Sequence, residues 1–482
     1  MTSVLFEKSL SLPIKEHTES FDVIVMGGGV AGSIAAISAG RLGAKVLVIE
    51  EQGFLGGSLT AMGVGPMMSF HNPAGEQVVR GLPEELIQRL VAKGASPGHI
   101  PDTTTYCSTV TPFDSEALKI ELEGMLRESG GTPLYHTQLA AVVAEHGRIT
   151  RIVVCNKAGL TSFEAKVFID ATGDGDLAAR AGVPFVRGRE ADAAAQPMTM
   201  NLKLANVDVG AIRRYAVEHP EDFLWAGGAD KGLERLKTSP RISLAGFLSA
   251  WNAARKRGEV SVPRDQVLFF ETAQPGVVIV NTSRITGLEA TNPFHLSEAE
   301  SIGRRQCVEI FEFLRRHAVG FSQAVRMDTA AKIGVRESRH ILGHHVLSAE
   351  ELISLHEFPD VIAMGGYPID IHAPSADQTV TRHLKPHDVY QIPLRSLLPQ
   401  SVDNLVVVGR CISATHEASA AFRVTPIVMA IGQAGGVVAA KAAHAGLPLS
   451  KIPHQVVQEI LRSQRAHIPS NTEQSAMSGR SH

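Results

Sequence analysis

A glycine-rich turn between a strand and a helix constrains the fold of this chain more than any other feature. Residues 21–27 (FDVIVMG) have the continuous apolar run of a buried parallel strand, and residues 33–43 (SIAAISAGRLG) read as a helix of small residues. A second apolar run follows at residues 44–51 (AKVLVIEE). Strand, helix and strand in this order predict a βαβ unit with a parallel sheet, and therefore an α/β fold.

The turn itself has the G-x-G-x-x-G spacing of a dinucleotide-binding site. Its residues are Gly27, Gly28, Gly29, Val30, Ala31 and Gly32. The first glycine of such a pattern permits the tight turn, the second lets a pyrophosphate approach the backbone, and the third lets helix and strand pack closely. Glu50 ends the second strand, where a carboxylate can bind ribose hydroxyls, and Glu51 is next to it. The pattern predicts a dinucleotide but leaves FAD and NAD both open.

Two further segments offer small residues that a cofactor can approach closely. Residues 53–60 (GFLGGSLT) form a loop that can follow a pyrophosphate and a ribityl chain, although an ordinary surface loop would have the same composition. Residues 168–173 read as a buried strand with a small-residue end, and Asp174 or Asp176 is expected to cap the helix that follows. The cofactor candidates in these segments are Gly56, Gly57, Ser58, Ala171, Thr172 and Gly173.

A late block favours FAD over NAD. A strand ends at Gly409 and Arg410, and Arg423 stands just before a long helix of small apolar residues. We expect Thr425 to be the N-cap of that helix and Pro426 its first helical residue. Reduced flavin carries negative charge on its pyrimidine edge, which the positive end of a helix dipole stabilises. A buried core helix would explain the apolar content equally well, but the cap and the glycines favour a cofactor.

Composition excludes several other classes of protein. The formal charge of -3 and the 5% aromatic content argue against nucleic acid as a partner. The four cysteines are scattered, which argues against disulfides, a zinc site and a redox dithiol, and suits the cytoplasm. His340 and His344 lack a third ligand, so we expect no metal site. The best apolar run, residues 424–443, contains Gln433 and Lys441, so we expect no membrane span.

Several blocks together resemble one family of flavoproteins. They are GGGVAG, VLVIEEQGFLGG, IDATGDGDLAARAG, KIGVRESRHILG, YPIDIHAP and VVVGRCISATHEASAAFRVTPIVMAIGQAGG. This set, spread from residue 21 to about residue 450, resembles the bacterial FAD-dependent oxidoreductase family, within the wider superfamily of glutathione-reductase-like and fumarate-reductase-like flavoproteins. The resemblance implies noncovalently bound FAD, with adenine touching the backbone of Leu139. Many members of the superfamily have Gly-Asp after the late strand, whereas this chain has Gly409-Arg410, so binding of the ribityl chain is expected to differ.

The motifs divide the chain into a Rossmann-like FAD-binding domain built from discontinuous segments and an α+β substrate domain. The predicted boundaries are an extension at 1–20, the FAD-binding domain at 21–66, 107–190 and 396–452, a covering segment at 67–106, the substrate domain at 191–395 and a tail at 453–482. The resemblance also allows a homo-oligomer, because related flavoproteins often dimerise through a substrate domain of this size.

The expected function is FAD-dependent oxidoreduction, with hydride transfer between a small organic substrate and flavin N5. Candidates for acid–base work and for binding charged substrate groups are His372, His416, Arg336 and Arg395, with Arg339, Tyr367, Asp370 and Arg423 near them in sequence. Arg336 and Arg339, at helical spacing with Glu337, could instead form a structural ion-pair cluster, and His372 could be a core histidine.

Two alternatives stay open: a NAD-binding dehydrogenase, and a noncatalytic flavin-binding redox sensor or scaffold. A second G-x-G-x-x-G pattern is absent from the sequence, so the electron partner is expected to be oxygen, a quinone or a carrier protein rather than a nicotinamide bound in its own domain.

Overall fold

Strands and helices alternate through the residues that the computed structural model describes, which are 11–372 and 379–469. The strands are β1 (Lys15–Glu16), β2 (Phe21–Met26), β3 (Val46–Ile49), β4 (Met67–Met68), β5 (Ile100–Pro101), β6 (Thr109–Thr111), β7 (Thr132–Leu134), β8 (Gln138–Glu145), β9 (Arg148–Asn156), β10 (Gly159–Phe163), β11 (Ala165–Asp170), β12 (Phe185–Arg187), β13 (Leu202–Ala205), β14 (Ser243–Gly246), β15 (Val267–Glu271), β16 (Val278–Val280), β17 (Val325–Thr329), β18 (Arg339–Ile341), β19 (Val361–Gly365), β20 (Ile369–His372), β21 (Thr379–Arg382), β22 (Tyr390–Pro393) and β23 (Leu405–Val407).

The helices differ widely in length and in the share of their surface that is buried. They are α1 (Val30–Arg41), α2 (Leu82–Ala92), α3 (Ser115–Glu128), α4 (Asp176–Arg180), α5 (Val209–Glu218), α6 (Ala229–Thr238), α7 (Leu248–Lys256), α8 (Pro293–His317), α9 (Ala349–Ile353), α10 (His416–Phe422), α11 (Thr425–Ala445) and α12 (His454–Ser463).

A five-stranded sheet lies at the centre of the first of two hydrophobic cores, which contains buried residues between Phe21 and Ile468. Its strand order is β23-β11-β2-β3-β7. All four pairings in this sheet are parallel. Strands β2 and β11 are mostly apolar and mostly buried because both of their faces are covered. The α/β fold with a Rossmann-like parallel sheet is therefore confirmed. Strands β8 and β9 form an antiparallel hairpin around His146 and Gly147.

Helices α1 and α11 pack against each other through small residues. A Cβ atom added to Gly432 would overlap the carbonyl oxygen of Ala31, and one added to Gly436 would overlap that of Ala35. The Ser38 hydroxyl also donates to the Gln433 carbonyl, at 2.9 Å. Such close backbone approach requires glycine on α11.

Helix α11 is long and apolar enough to cross a membrane, by length and composition alone, with a mean hydropathy of 1.3. In the structure, however, 89% of the apolar 18-residue stretch within this helix is buried inside the protein. Its place between α1 and the parallel sheet explains why its sequence is apolar all round.

A second hydrophobic core, made of buried residues between 198 and 335, lies around another sheet. This sheet has the order β14-β15-β16-β13-β17, and all of its pairings are antiparallel. Helices α5, α7 and α8 contribute buried side chains to the same core.

The two cores do not coincide with the boundaries inferred from sequence. Residues 341–395 were assigned to the substrate domain, but their buried apolar side chains pack into the first core. The covering segment, 67–106, contributes Leu86 and Leu90 of α2 to that core as well. In the tail, α12 packs its Val457 and Leu461 there.

Candidate active site

One large cavity, of about 1130 Å³, runs from the ends of the parallel strands to the second sheet. It lies at the carboxyl ends of β2, β3, β11 and β23, which is where open parallel sheets bind ligands. The predicted cofactor residues on its wall are Gly27, Gly29, Val30, Ala31, Glu50, Glu51, Gly57, Ser58, Leu139, Ala171, Thr172, Gly173, Gly409, Arg410, Arg423 and Thr425. The remaining four, Gly28, Gly32, Gly56 and Pro426, are adjacent to wall residues in the chain.

The glycine turn presents bare backbone to this cavity. Gly27 has a φ of +98°, and a Cβ there would lie 2.5 Å from the Ala171 carbonyl oxygen. Gly29 is the N-cap of α1 and has no side-chain cap, and a Cβ on it would meet only the Cα of Gly57, at 4.0 Å. The N–H groups of the first turn of α1 therefore face open space, as a pyrophosphate site requires.

Glu50 is fixed beside the turn by backbone donors. Its carboxylate accepts the N–H of Gly28 at 2.6 Å and that of Gln52 at 2.8 Å. Burial raises its pKa, because removal from water disfavours the charged form. Glu51 pairs with Lys332 from the second core, at 2.5 Å. With Leu139 on the same wall, these residues fit an adenosine.

Helix α11 begins one residue earlier than the sequence suggests. Val424 is its N-cap, with an extended backbone (φ -69°, ψ 147°), and Thr425 is the first helical residue. The prediction that Thr425 caps this helix is therefore wrong, and Pro426 falls at the second helical position instead of the first. No side chain caps the helix. Its first-turn N–H groups are thus left for a ligand, and Val424, Thr425 and Val428 line the cavity.

Arg410 reaches an aspartate from a neighbouring strand end. Its Nη2 donates to Oδ1 of Asp174, at 2.6 Å, and its guanidinium lies against Gly173. Burial alone would raise the pKa of Asp174, but the charge of Arg410 and a hydrogen bond from Ser338 hold it below its ordinary value. The Asp174 carboxylate thus lies on the cavity wall beside Arg410.

Helix α4 is capped differently from the prediction. Its N-cap is Gly175, and neither Asp174 nor Asp176 caps it. The Thr172 hydroxyl accepts the N–H of Asp176, at 2.9 Å, and the Asp170 carboxylate accepts that of Ala178, at 2.8 Å.

Asp370 is the centre of a polar cluster at the other end of the cavity. Its Oδ2 accepts the Tyr367 hydroxyl at 3.1 Å and lies 3.4 Å from His372 Nε2 and 3.3 Å from Arg423 Nη2. Burial alone would raise the pKa of Asp370, but His372 and Arg423 outweigh it and hold that pKa well below its ordinary value. Burial first, and then the charge of Arg336, lower the pKa of His372 to about 3. The aspartate is charged and the imidazole neutral near pH 7.

Two arginines reach this end from loops. Arg336 donates through Nη1 to the Pro197 carbonyl and to the Thr199 hydroxyl, both at 2.6 Å. Arg264, only 5% exposed, donates through Nη1 to the Asn281 carbonyl at 2.9 Å. Burial lowers the pKa of both, to about 10 for Arg264. Residues 336–338 lie outside any helix, so the ion-pair cluster at helical spacing does not form.

Two predicted catalytic residues are away from the cavity wall. His416 is 5% exposed, and its Nδ1 lies 2.8 Å from the Glu337 carboxylate, which also contacts His340 Nε2 at 2.9 Å. Arg395 forms an ion pair with Asp360, at 3.1 Å. Neither touches the space where a ligand would bind, because each is committed to a contact elsewhere in the fold.

Three other residues that line the cavity, Arg264, Tyr106 and Lys332, were not predicted as site residues. Tyr106 ends the segment predicted to cover the pocket, and Lys332 begins the block KIGVRESRHILG, which supported the family resemblance without giving Lys332 a role. Arg264 belongs to no block that the sequence analysis singled out.

Comparison with known proteins identifies the family. A model of FAD dependent oxidoreductases matches residues 22–461. The chain belongs to the FAD-dependent oxidoreductase family. Its cofactor is FAD, and it is an enzyme of the oxidoreductase class. The glycine turn, Glu50 and the uncapped end of α11 fit this cofactor, since they offer sites for its pyrophosphate, its ribose and its flavin in one cavity.

Similarity to individual proteins is partial. The mitochondrial dihydrolipoyl dehydrogenase of Dictyostelium discoideum is 47% identical over 55 residues, which are 11% of each chain. The thiamine thiazole synthase of Aeropyrum pernix is 31% identical over 143 residues, 29% of this chain and 46% of that one. The chain thus spans between about a tenth and about half of the length of these curated relatives.

Solved structures resemble the chain over most of its length at low identity. A geranylgeranyl bacteriochlorophyll reductase-like protein from Thermoplasma acidophilum has a TM-score of 0.45 and 14% identity, covering 94% of this chain and 83% of that one. A flavin-dependent brominase has a TM-score of 0.46 and 15% identity, covering 92% and 83%.

Proposed function

We propose that this enzyme oxidises or reduces a small organic molecule by hydride transfer, and that the substrate binds beside Asp370 and His372. One observation carries the proposal: a single cavity joins the FAD-binding turn to that polar cluster. Bound flavin supplies the hydride acceptor or donor at its N5 atom. The chain must then bind the substrate, exclude water and move the proton.

His372 is the residue we propose for the proton. Its imidazole lines the cavity and is neutral near pH 7, so it can accept a proton from a substrate hydroxyl. The Asp370 carboxylate, 3.4 Å from His372 Nε2, orients the ring and stabilises the charged form when it appears. The Tyr367 hydroxyl and Arg423 in turn fix Asp370.

Residues from three parts of the chain enclose this end of the cavity. Tyr106 comes from the covering segment, Phe270 and Leu268 from β15, and Tyr367 from the loop before β20. Aromatic and aliphatic walls with a few polar groups are typical of sites for small organic molecules. The electron partner is proposed to be oxygen, a quinone or a carrier protein, since the sequence has a single G-x-G-x-x-G pattern.

The proposal is tested by mixing the purified, FAD-loaded enzyme with a metabolite panel without oxygen and recording flavin absorbance. We expect at least one alcohol, amine or reduced acid to bleach the flavin, or a reduced flavin to be reoxidised by one member of a matching set of oxidised compounds. Absence of any such reaction across both sets would overturn the proposal.

A pair of histidine variants then separates the two candidates. His372→Gln should lower the rate of flavin reduction by about 10²- to 10⁴-fold at unchanged FAD content, the range typical of a lost general base. His416→Gln should leave the rate per bound flavin unchanged, because His416 is off the cavity wall. The opposite pattern would show that His416 handles the proton.

A further inference from the structure

The end of the cavity at Asp370 contains a group of three arginines that act on one another electrostatically. Arg264, Arg336 and Arg423 all line this end. They come from three separate stretches: the loop before β15, the loop before β18, and the short turn between α10 and α11. The tertiary fold brings these three arginines together. Arg264 is buried, and Arg336 and Arg423 are partly buried.

Each guanidinium uses only one nitrogen for hydrogen bonds to described residues. Arg336 and Arg264 use Nη1, and Arg423 uses Nη2, which donates to Asp370. The Nε of Arg423 is buried without a partner in the described part of the chain. A guanidinium has five N–H groups, and a buried donor left without an acceptor is costly. These arginines therefore have N–H groups that can donate hydrogen bonds to a ligand in the cavity.

The charges at this end are also unbalanced. Among the described residues, Asp370 and Asp265 are the carboxylates that favour the charged forms of these three arginines. Burial and the charges of Arg423 and Arg264 hold the pKa of Arg336 well below its ordinary value, which means that the cations repel one another. Neutral His372 adds no compensating charge. A bound anion would relieve this repulsion.

We propose that the substrate carries a carboxylate, bound by Arg264, Arg336 and Arg423, next to the carbon that reacts. Guanidinium groups bind planar carboxylates through paired N–H donors, and the aromatic and aliphatic residues beside them suit the organic part of an acid. The buried side-chain amide oxygens of Gln266 and Asn281, without partners in the described residues, can accept a hydrogen bond from a further hydroxyl or amino group of the same molecule. This inference rests on the proposed function, whose substrate class it names.

Carboxylate binding would also prepare the proton acceptor. The charge of Arg336 is the second cause, after burial, of the low pKa of His372. A carboxylate that neutralises Arg336 would raise that pKa and make the imidazole a stronger base when substrate is present. Binding of the substrate carboxylate and the basicity of His372 would thus be coupled through Arg336.

The test is equilibrium binding to the FAD-loaded enzyme, followed by the change in the flavin absorption spectrum. The probes are acetate, succinate and benzoate, their neutral amides, and inorganic phosphate. We expect at least one carboxylate to produce a saturable change with an affinity at least about tenfold above that of its amide and of phosphate. Equal affinities for acid and amide, or a response to phosphate alone, would overturn the inference.

Variants assign the response to the arginines. Arg336→Gln and Arg264→Gln should each weaken carboxylate binding by about 10- to 100-fold, and Arg336→Lys should recover only part of it because lysine lacks the planar fork. Arg305→Gln is the matched control, since Arg305 lies exposed on α8. If the Arg264→Gln enzyme fails to fold, the Arg336→Gln enzyme alone tests the proposal, because Arg336 is only partly buried. Unchanged carboxylate affinity in a folded Arg336→Gln enzyme would contradict the proposal.

The two proposals fail in different ways. Flavin bleaching by a neutral substrate with no carboxylate binding would overturn the carboxylate site and leave the oxidoreductase function intact. Tight carboxylate binding with no flavin reaction across the whole panel would support the anion site and overturn the hydride-transfer proposal.

Discussion

A single carboxylate, Glu337, holds together the strand end at His340 and the start of α10 at His416. Its side chain is fully buried, and it also accepts the backbone N–H of Gln196, at 2.9 Å. Burial alone would raise the pKa of Glu337, but hydrogen bonds from His340 and His416 outweigh it and lower the pKa to about 2. The charged form is therefore the one the fold requires.

This carboxylate gives a prediction for stability in acid. A group whose pKa is lower in the folded state stabilises the fold above its unfolded pKa, about 4.3 for glutamate, and loses that contribution as the pH falls toward the folded value. We expect Glu337→Gln to lower the free energy of unfolding by a few kcal/mol at pH 7 and by much less near pH 3. Urea unfolding at both pH values measures this. An equal loss at both would show that the charge of Glu337 is not what stabilises the fold.

The same cluster shows why the site could be predicted only in part. His416 follows a late strand in a block that resembles flavin-proximal segments, and sequence alone gives no sign that Glu337, 79 residues earlier, binds it. The glycine turn and Glu50 were predictable because their spacing is local. Arg264 was not, since its approach to the cavity depends on how the second core folds.

At the scale of elements, the contact between α1 and α11 sets the geometry of the FAD site. The two helix beginnings, at Val30 and Thr425, both border the cavity. Glycines at the crossing let the backbones approach, so a change there should alter both helix ends at once.

Apolar runs predicted four of the five parallel strands. Strand β7 was missed because its sequence, TPL, contains a proline and forms no apolar run.

We expect Gly436→Ala to destabilise the protein by about 1–3 kcal/mol, the usual cost of overpacking a tight core. The added methyl group would overlap the Ala35 carbonyl oxygen and come within 2.8 Å of Ser38 Cβ. Gly124→Ala is the matched control, because Gly124 lies inside α3 with no atom within 4 Å of the added Cβ. It should stabilise by about 0.5–1 kcal/mol. Thermal unfolding of the two variants would contradict this account if they shifted in the same direction.

At the scale of the whole molecule, the cavity that fits FAD lies where the two cores meet. The second core contributes Lys332, which pairs with Glu51, and Asn201, whose Nδ2 donates to the Met62 carbonyl at 2.8 Å. These contacts join the cores directly, and the cofactor cavity is lined from both sides. Loss of FAD should therefore weaken the whole fold and not only its own site.

FAD at about 100 times its dissociation constant should stabilise the folded chain by about 2.7 kcal/mol. FMN, which lacks the adenosine half, should give a smaller shift in the melting temperature, because Glu50 and the wall at Leu139 would have nothing to bind. Calorimetry of the apoprotein with each flavin measures the difference. Equal shifts would mean that adenosine is not bound at the glycine turn.

The hydrogen bond from Ser38 to Gln433 joins residues 395 positions apart in the chain. During synthesis the glycine turn therefore leaves the ribosome long before α11, and it lacks this packing partner while the residues between them, including the whole second core, are made. We expect the nascent chain not to retain FAD through this interval, because Thr425 and Val428, which line the cavity, have not yet been made. We therefore expect the chain to retain FAD only after α11 has been made and has packed against α1.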